Sequence, residues 1–474
     1  MSDPPPRSSS RWPGGGLRRC TPLPHRRSPL PFAWLPSPIS PAQATGTLPQ
    51  VSPRPASIHI DDLADPQFTP QIAEMMRAVE PIAAELDFAP DALIAQAQAD
   101  TRLDDFGDEG FREPLGVILE ALDTQPERSA MGRVSTHAQI SQLLRNRLLV
   151  EDLVRQHQEI LDEMIDRPIV IAGQPRTGTT HLHNLSASDP AIRSLPYWES
   201  LEPVLPANER AAAAASGEDP RRERTGAGLG ILDEAMPNFK RMHEMTVDHV
   251  HEEIQLLAID FSTMLFETMG VLPTWKEWYV THDQTSHYEY LRKVLQVLQW
   301  QRAAGSRWVL KSPQHLEQFQ ALVRVFPDAT FVVPHRDPVA VIASNATMLA
   351  YTARLSHAVV DPIHIGHYWS DRIEEMLRAG MRDHDLLPSD RTIDVAFDEF
   401  MADDVAMVER IYEVAEQPFT AEVRAAMDAF MVEHPRGRHG GVLYDLQGDF
   451  DIDPAERREA MRDYTDRFAV TLED

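Results

Sequence analysis

Fourteen residues, Arg167-Pro-Ile-Val-Ile-Ala-Gly-Gln-Pro-Arg-Thr-Gly-Thr-Thr180, restrict the fold more than any other stretch of this chain. Ile169-Val170-Ile171 is a β-branched run without a polar residue, the composition of a strand buried on both faces of a parallel sheet. The run breaks at Ala172-Gly173, passes through Gln174-Pro175-Arg176, and resumes at Gly178-Thr179-Thr180 with a helix-compatible segment reaching Ala187. A strand that feeds a glycine loop and then a helix turns several main-chain N–H groups, and the positive end of a helix dipole, toward one point. An anion, by preference a phosphate, is expected there. The alternative is an ordinary strand-turn-helix corner; the paired glycines, Arg176 and two hydroxyls argue against it.

The spacing Gly173-x4-Gly178-x-Thr180 overlays the nucleotide-binding P-loop pattern, with Thr179 where that pattern has lysine. A nucleotide kinase or other NTPase, the alternative reading, also needs an acid at a strand end to hold Mg²⁺, and Phe331-Val-Val-Pro-His335 offers none. A non-catalytic nucleotide-binding scaffold is a third possibility. The single cysteine, Cys20, excludes a disulfide framework and a cysteine-rich zinc site, and fits a reducing, cytoplasmic setting. The net charge of −28 disfavours nucleic acid as a partner and requires any anion site to be locally basic. No apolar run approaches the roughly 20 residues of a membrane span.

Residues 1–56 hold 14 of the 38 prolines, seven arginines and one acid, and read as a disordered basic tail. Residues 57–166 read as an N-terminal helical layer, with apolar residues at three-and-four spacing over 70–79 and 140–150 and with Arg145 and Arg147 as surface charges. Residues 167–474 read as an α/β domain carrying a helical insertion at about 231–304, preceded by a mobile excursion over 203–230. The insertion's last helix has Tyr288, Leu291, Leu295 and Leu298 on one face and Gly305 beyond its end. His249-x-His251 is the wrong spacing for two metal ligands on one helix face, so His243, His249, His251, Glu252 and Glu253 read as polar residues at a helix start, and no metal is expected.

Two more strand-helix units follow. Trp308-Val-Leu310 ends in Lys311, and Ser312-Pro313 then opens a helix. Thr330-Phe-Val-Val333 leads to Arg336, and Asp337-Pro338 opens a helix with Ser344 two turns along it. A last strand covers 391–397. Alternating strands and helices predict an α/β fold of P-loop type, an open, mostly parallel sheet flanked by helices, whose ligands sit beyond the carboxyl ends of the strands. Arg176, Lys311 and Arg336 all fall at such ends.

Gln174-Pro-Arg-Thr-Gly-Thr-Thr180, Trp308-Val-Leu-Lys-Ser-Pro313 and Arg336-Asp-Pro followed by Ser344 resemble the sulfotransferases that use 3′-phosphoadenosine-5′-phosphosulfate (PAPS). The likeness is nearer to bacterial and tyrosylprotein-type members than to cytosolic aryl sulfotransferases, and covers about residues 165–445. It implies that Arg176, Thr177, Gly178, Thr179 and Thr180 hold the 5′-phosphosulfate, and that Arg336 and Ser344 hold the 3′-phosphate. It further implies that Lys311 neutralises the leaving oxygen, beside Arg176, and that Glu199 is the base, with His243 or His251 in reserve. Near the C-terminus, His434-Pro-Arg-Gly-Arg-His439 resembles the basic loop that closes over the 3′-phosphate, which would make Arg436 and Arg438 ligands. Phe397-Asp-Glu-Phe400 stands where many members have a tyrosine near the adenine. The function implied is transfer of a sulfuryl group to a small-molecule hydroxyl acceptor; the aromatic and Met-rich helices from Phe239 to Trp300 read either as the lining of a pocket for a hydrophobic acceptor or as plain core.

Overall fold

Five strands build the centre of the molecule: β1 (Ile169–Ile171), β2 (Ile192–Arg193), β3 (Arg307–Lys311), β4 (Thr330–His335) and β5 (Thr392–Ala396). Their order is β2-β3-β1-β4-β5, and every neighbouring pair is parallel, so the α/β class and open parallel sheet expected from sequence are what the chain adopts. The computed structural model describes residues 54–473 apart from 124, 126, 127 and 303. The expected disordered tail therefore lies outside the described residues except at its end. There, Arg241 donates to the Ala56 carbonyl at 3.0 Å, and Ile58 pairs with Val442.

Because strand side chains alternate between faces, the central strands β1, β3 and β4 each feed two apolar layers. Val170, Trp308, Leu310, Phe331 and Val333 point into the larger one, which also takes in Leu144 and Leu148 of the helix Ala130–Gln156 and Leu291, Leu295 and Leu298 of the helix Thr285–Gln301. Ile169, Ile171, Val309, Val332 and Val395 point into the other, against Leu182, Leu185, Met407, Val408 and Ile411. Burial on both faces is why β1, β3 and β4 are largely apolar runs rather than alternating ones, whereas the edge strand β5 alternates.

Several local expectations change. The run 203–230 is ordered as two helices, Ala207–Ser216 and Pro220–Ala235. Alanines favour the first helix, and the second starts at the Asp219 cap with Pro220 behind it. The charged run is consumed in ion pairs from Arg224 to Glu202 and Glu209 and from Arg222 to Asp248. Arg147 is not a surface charge: it is 1% exposed, bonded to Asp260 and to the Phe106 carbonyl, and lies 4.2 Å over the Tyr290 ring. Ser312-Pro313 opens a 3₁₀ turn, Pro313–Glu317, before the helix Phe319–Val325, and the Ser312 side chain makes no capping bond. Asp337 does cap its helix, Pro338–Ser356, accepting from the Val339 N–H at 2.9 Å. No helix among the described residues is long and apolar enough to cross a membrane.

Candidate active site

Register decides which residues meet at the sheet's carboxyl edge. Ile171, the last residue of β1, is opposite Lys311, the last residue of β3, and on its other side opposite Val332 of β4. With strands about 4.8 Å apart, Lys311 stands beside the start of the glycine loop. Its ammonium is buried, 3.5 Å from Thr180 Oγ1 and paired with Glu252. Thr179 stands where the nucleotide-binding P-loop pattern has its lysine, and the buried cation beside this loop is on the adjacent strand instead.

The loop itself is shaped by its own side chains. Thr177 donates its hydroxyl to the Gln174 carbonyl at 2.7 Å, and Arg176 and Gly178 both take left-handed conformations (φ 67° and 79°). A Cβ at Gly178 would stand 3.3 and 3.4 Å from the rings of Phe400 and Phe397, so both space and φ call for glycine. Thr179 and Thr180 then open the helix Thr179–Ala187, whose first N–H groups have no intrahelical partner.

β4 runs past Val332 to His335, which lifts Arg336 to the level of the loop. Arg336 donates Nη1 to the Arg176 carbonyl, and Arg176 donates Nε to Ser344 Oγ at 2.8 Å and Nη1 to the Met242 carbonyl. Arg176, Ser344 and Arg336, from three separate elements, therefore form one contact chain. The Arg336 guanidinium lies 4.1 Å over the Phe397 ring, and its Nε and Nη2 donate to the Glu473 carboxylate at 2.6 and 2.7 Å. An anion already occupies this fork, supplied by the chain's own C-terminal segment.

Other expected ligands are placed elsewhere. Arg436 is held by Asp404 and by the Met401 carbonyl, with His181 on the other Asp404 oxygen at 2.7 Å. Arg438 is paired with Glu244, which also takes His439 at 3.0 Å. Neither arginine contacts Arg336 or Ser344 through a hydrogen bond in the described structure.

Glu199, the expected base, does not join the site. It is buried between Arg193, at 3.3 Å, and Arg302, at 2.9 Å. Arg193 pairs in register with Trp308, so this cluster sits about three residues, or roughly 10 Å, back along the sheet from Lys311. Burial works to raise the Glu199 carboxyl, but the two guanidinium groups win and hold it below the usual carboxylate range. Glu199→Ala leaves Arg193 buried without its counter-charge, so an unfolding free energy lower by about 3–5 kcal/mol is expected, read in a urea melt. A base at this position would instead show lost turnover at unchanged stability.

Four histidines, His183, His243, His249 and His251, lie instead within reach of the Lys311 charge. His243, His249 and His251 form a row with ring centroids 5.4 and 5.8 Å apart, and the Tyr197 ring is 4.7 Å from His251. Neither nitrogen of buried His251 has a hydrogen-bond partner among the described residues. Burial, then the neighbouring histidines and the Lys311 charge, hold His251 well below the usual histidine range. Burial and then the Lys311 charge bring His249 to about 4 and His183 to about 3. These rings fold neutral and charge when unfolded, so their stabilising effect is complete above the unfolded value of about 6.5 and is lost as pH falls below it toward the folded values. Each contributes a slope approaching ~1.4 kcal/mol per pH unit in that window, and Tm is expected to fall steeply between pH 6.5 and 5. A Tm that is flat over this range would show that the rings are not held neutral. Among the described residues, no group of three or more His, Cys, Asp or Glu is arranged to hold a metal ion.

Glu252 and Glu253, which read from sequence as polar residues at a helix start, both hold Lys311, and Glu473, which holds Arg336, has no place in the sequence reading. The first two carry a faint signal, adjacent acids heading an apolar helix; Glu473 carries none.

A strand-end lysine and a strand-end arginine flank a glycine loop at the carboxyl edge of a five-stranded parallel sheet, a fold shared with group-transfer enzymes. A family model described as "Sulfotransferase family" matches residues 168–421, more than half of the chain, and the chain belongs to that family. Sulfotransferase STF9 from Mycobacterium avium is similar in structure over 82% of this chain and 99% of its own, with 27% identity and a TM-score of 0.73. Sulfotransferase STF1 from Mycobacterium tuberculosis H37Rv is similar over 78% of this chain and 97% of its own, again with 27% identity and a TM-score of 0.66. No curated protein sequence matches the chain.

Proposed function

We propose that the chain moves the sulfuryl group of PAPS in line to an acceptor hydroxyl and releases PAP. The observation that carries this reading is the contact chain Ser344–Arg176–Arg336, which gathers two cations and a hydroxyl around a loop whose last residue, Thr180, faces Lys311. The fit to a doubly anionic donor is supported from within the molecule, because the Arg336 fork takes a carboxylate, Glu473, in the bidentate manner in which arginine also takes phosphate. The donor supplies an activated sulfuryl group on a phosphate leaving group. The rest is done by side chains and amides of this chain.

In this reading the amides of Gly178, Thr179 and Thr180 and the Thr180 hydroxyl bind the 5′ end. Arg336 and Ser344 bind the 3′-phosphate, with Glu473 giving way. Lys311 meets charge on the leaving oxygen, and the positioned loop supplies the in-line geometry. His251 takes the acceptor's proton: it is neutral, buried, and has nitrogens that an acceptor hydroxyl would satisfy. We place the chain nearer to the bacterial and tyrosylprotein-type branch than to the aryl enzymes, on the loop sequence 174–180 and Ser312-Pro313. Its base differs from that branch's glutamate, because Glu199 is committed to two arginines.

Isothermal titration with PAP and AMP, on wild type and Arg336→Ala, tests the donor. Losing one charge-assisted contact of about 1.5–3 kcal/mol weakens PAP at least about tenfold and leaves AMP nearly unchanged. Wild type that prefers ATP with Mg²⁺ to PAP, or a variant that loses both ligands equally, overturns the reading.

A further inference from the structure

Lys311 is gripped at both ends by adjacent acids. Glu252 pairs with its ammonium, and Glu253 Oε2 accepts its main-chain N–H at 2.9 Å. The second contact has a topological cause. β2 pairs with β3 only as far as Trp308, so the Lys311 N–H projects beyond the end of the neighbouring strand and a side chain must supply the acceptor.

Glu253 does not act alone. Its other oxygen faces His315 Nε2, and His315 Nδ1 is 2.8 Å from the Tyr288 hydroxyl. Gln314 joins the same hydroxyl at 3.5 Å through Nε2, and its Oε1 accepts from Thr263 at 2.8 Å. Glu253, His315, Gln314, Tyr288 and Thr263 are all between 0 and 1% exposed. A buried polar network with every member partnered has few alternative arrangements, and it fixes whatever it touches. Burial works to raise the Glu253 carboxyl, but His315 and the Lys311 N–H overrule it, and the group stays ionised below the usual range.

Glu253 lies two residues beyond His251 in the same segment. One carboxylate thus joins the segment that carries the proton acceptor to the residue that meets the leaving oxygen. We propose that Glu253, backed by His315 and Tyr288, is the positioning residue of the reaction: it sets the separation of His251 and Lys311 across the transferring group while touching neither donor nor acceptor. This rests on the roles given to His251 and Lys311 above.

The test is Glu253→Ala against Glu253→Gln in the full chain, with kcat, donor KM, PAP affinity and Tm measured for each. Glutamine keeps an oxygen for the Lys311 N–H and can donate to His315 once that ring changes tautomer, whereas alanine removes both contacts. A displacement of about 1 Å at reacting groups costs on the order of 100-fold. Glu253→Ala is therefore expected to lower kcat about 100-fold with PAP affinity within about threefold of wild type, and Glu253→Gln to recover to within about tenfold of wild type. If alanine does not fold, Tyr288→Phe removes only the far end of the relay, and a several-fold drop in kcat at unchanged PAP affinity is expected. A purely structural role shows instead as lower Tm with unchanged kcat per folded molecule, or as glutamine failing to rescue a folded alanine variant, and either overturns the proposal. Wild type that transfers nothing from PAPS overturns the donor reading and this inference together. Active wild type with insensitive Glu253 and Tyr288 variants overturns this inference alone.

Discussion

Lys311→Ala is expected to lower kcat by about two to three orders of magnitude while PAP binding changes by less than about threefold. Charge on the bridging oxygen grows only as the bond to sulfur breaks, so a cation placed there stabilises the transition state more than the bound ground state. Removing one preorganised donor to a developing oxyanion costs on the order of 10²–10³ in turnover, and the burial of Lys311 puts its charge in that regime. Lys311→Arg keeps the charge but not its compact shape, and no rescue is expected from a planar fork in a site built round one ammonium beside Thr180. Unchanged turnover with weakened PAP would move Lys311 from the chemistry to plain donor binding.

His251→Phe is expected to lower kcat about 10²–10⁴-fold, the range for loss of a positioned general base, without lowering Tm. The two halves belong together. A buried imidazole with no partner among the described residues is a polar group whose desolvation nothing offsets, so an apolar ring of similar size against Tyr197 removes a cost along with a function. The pH dependence separates this base from an ordinary histidine. Since His251 is held well below its usual range, it stays deprotonated through neutrality, and kcat/KM is expected to be flat from pH 8 to about 6.5, with its acid limb lower still. A group of unperturbed pKa near 6.5 would already have lost half its active form there. Such a limb, or a variant with low Tm and near-normal turnover, would return His251 to the core and leave the proton to another group.

Much of this was written in the sequence. Ile169-Val-Ile171 followed by paired glycines specified a buried strand, a turn with left-handed backbone and a helix start, because each rests on local sterics and the two-residue strand period. The Trp308–Lys311 and Thr330–Arg336 segments announced two more strands in the same way, and parallel strands bring their carboxyl ends to one edge. The convergence of Arg176, Lys311 and Arg336 on that edge was legible before any coordinate. Tertiary structure decided the partners. Glu199 stands a short distance from the loop in sequence but lies on the wrong side of β3's register, where Arg193 and Arg302 claim it. Glu253 and Lys311 are 58 residues apart, and Arg336 and Glu473 137 apart, and no local pattern encodes pairings at such range. An ion pair depends on where two segments are packed, and periodicity reports only which face of its own element a residue occupies. The sequence determined the sheet, the loop and the cations; packing alone determined which acids and histidines face them.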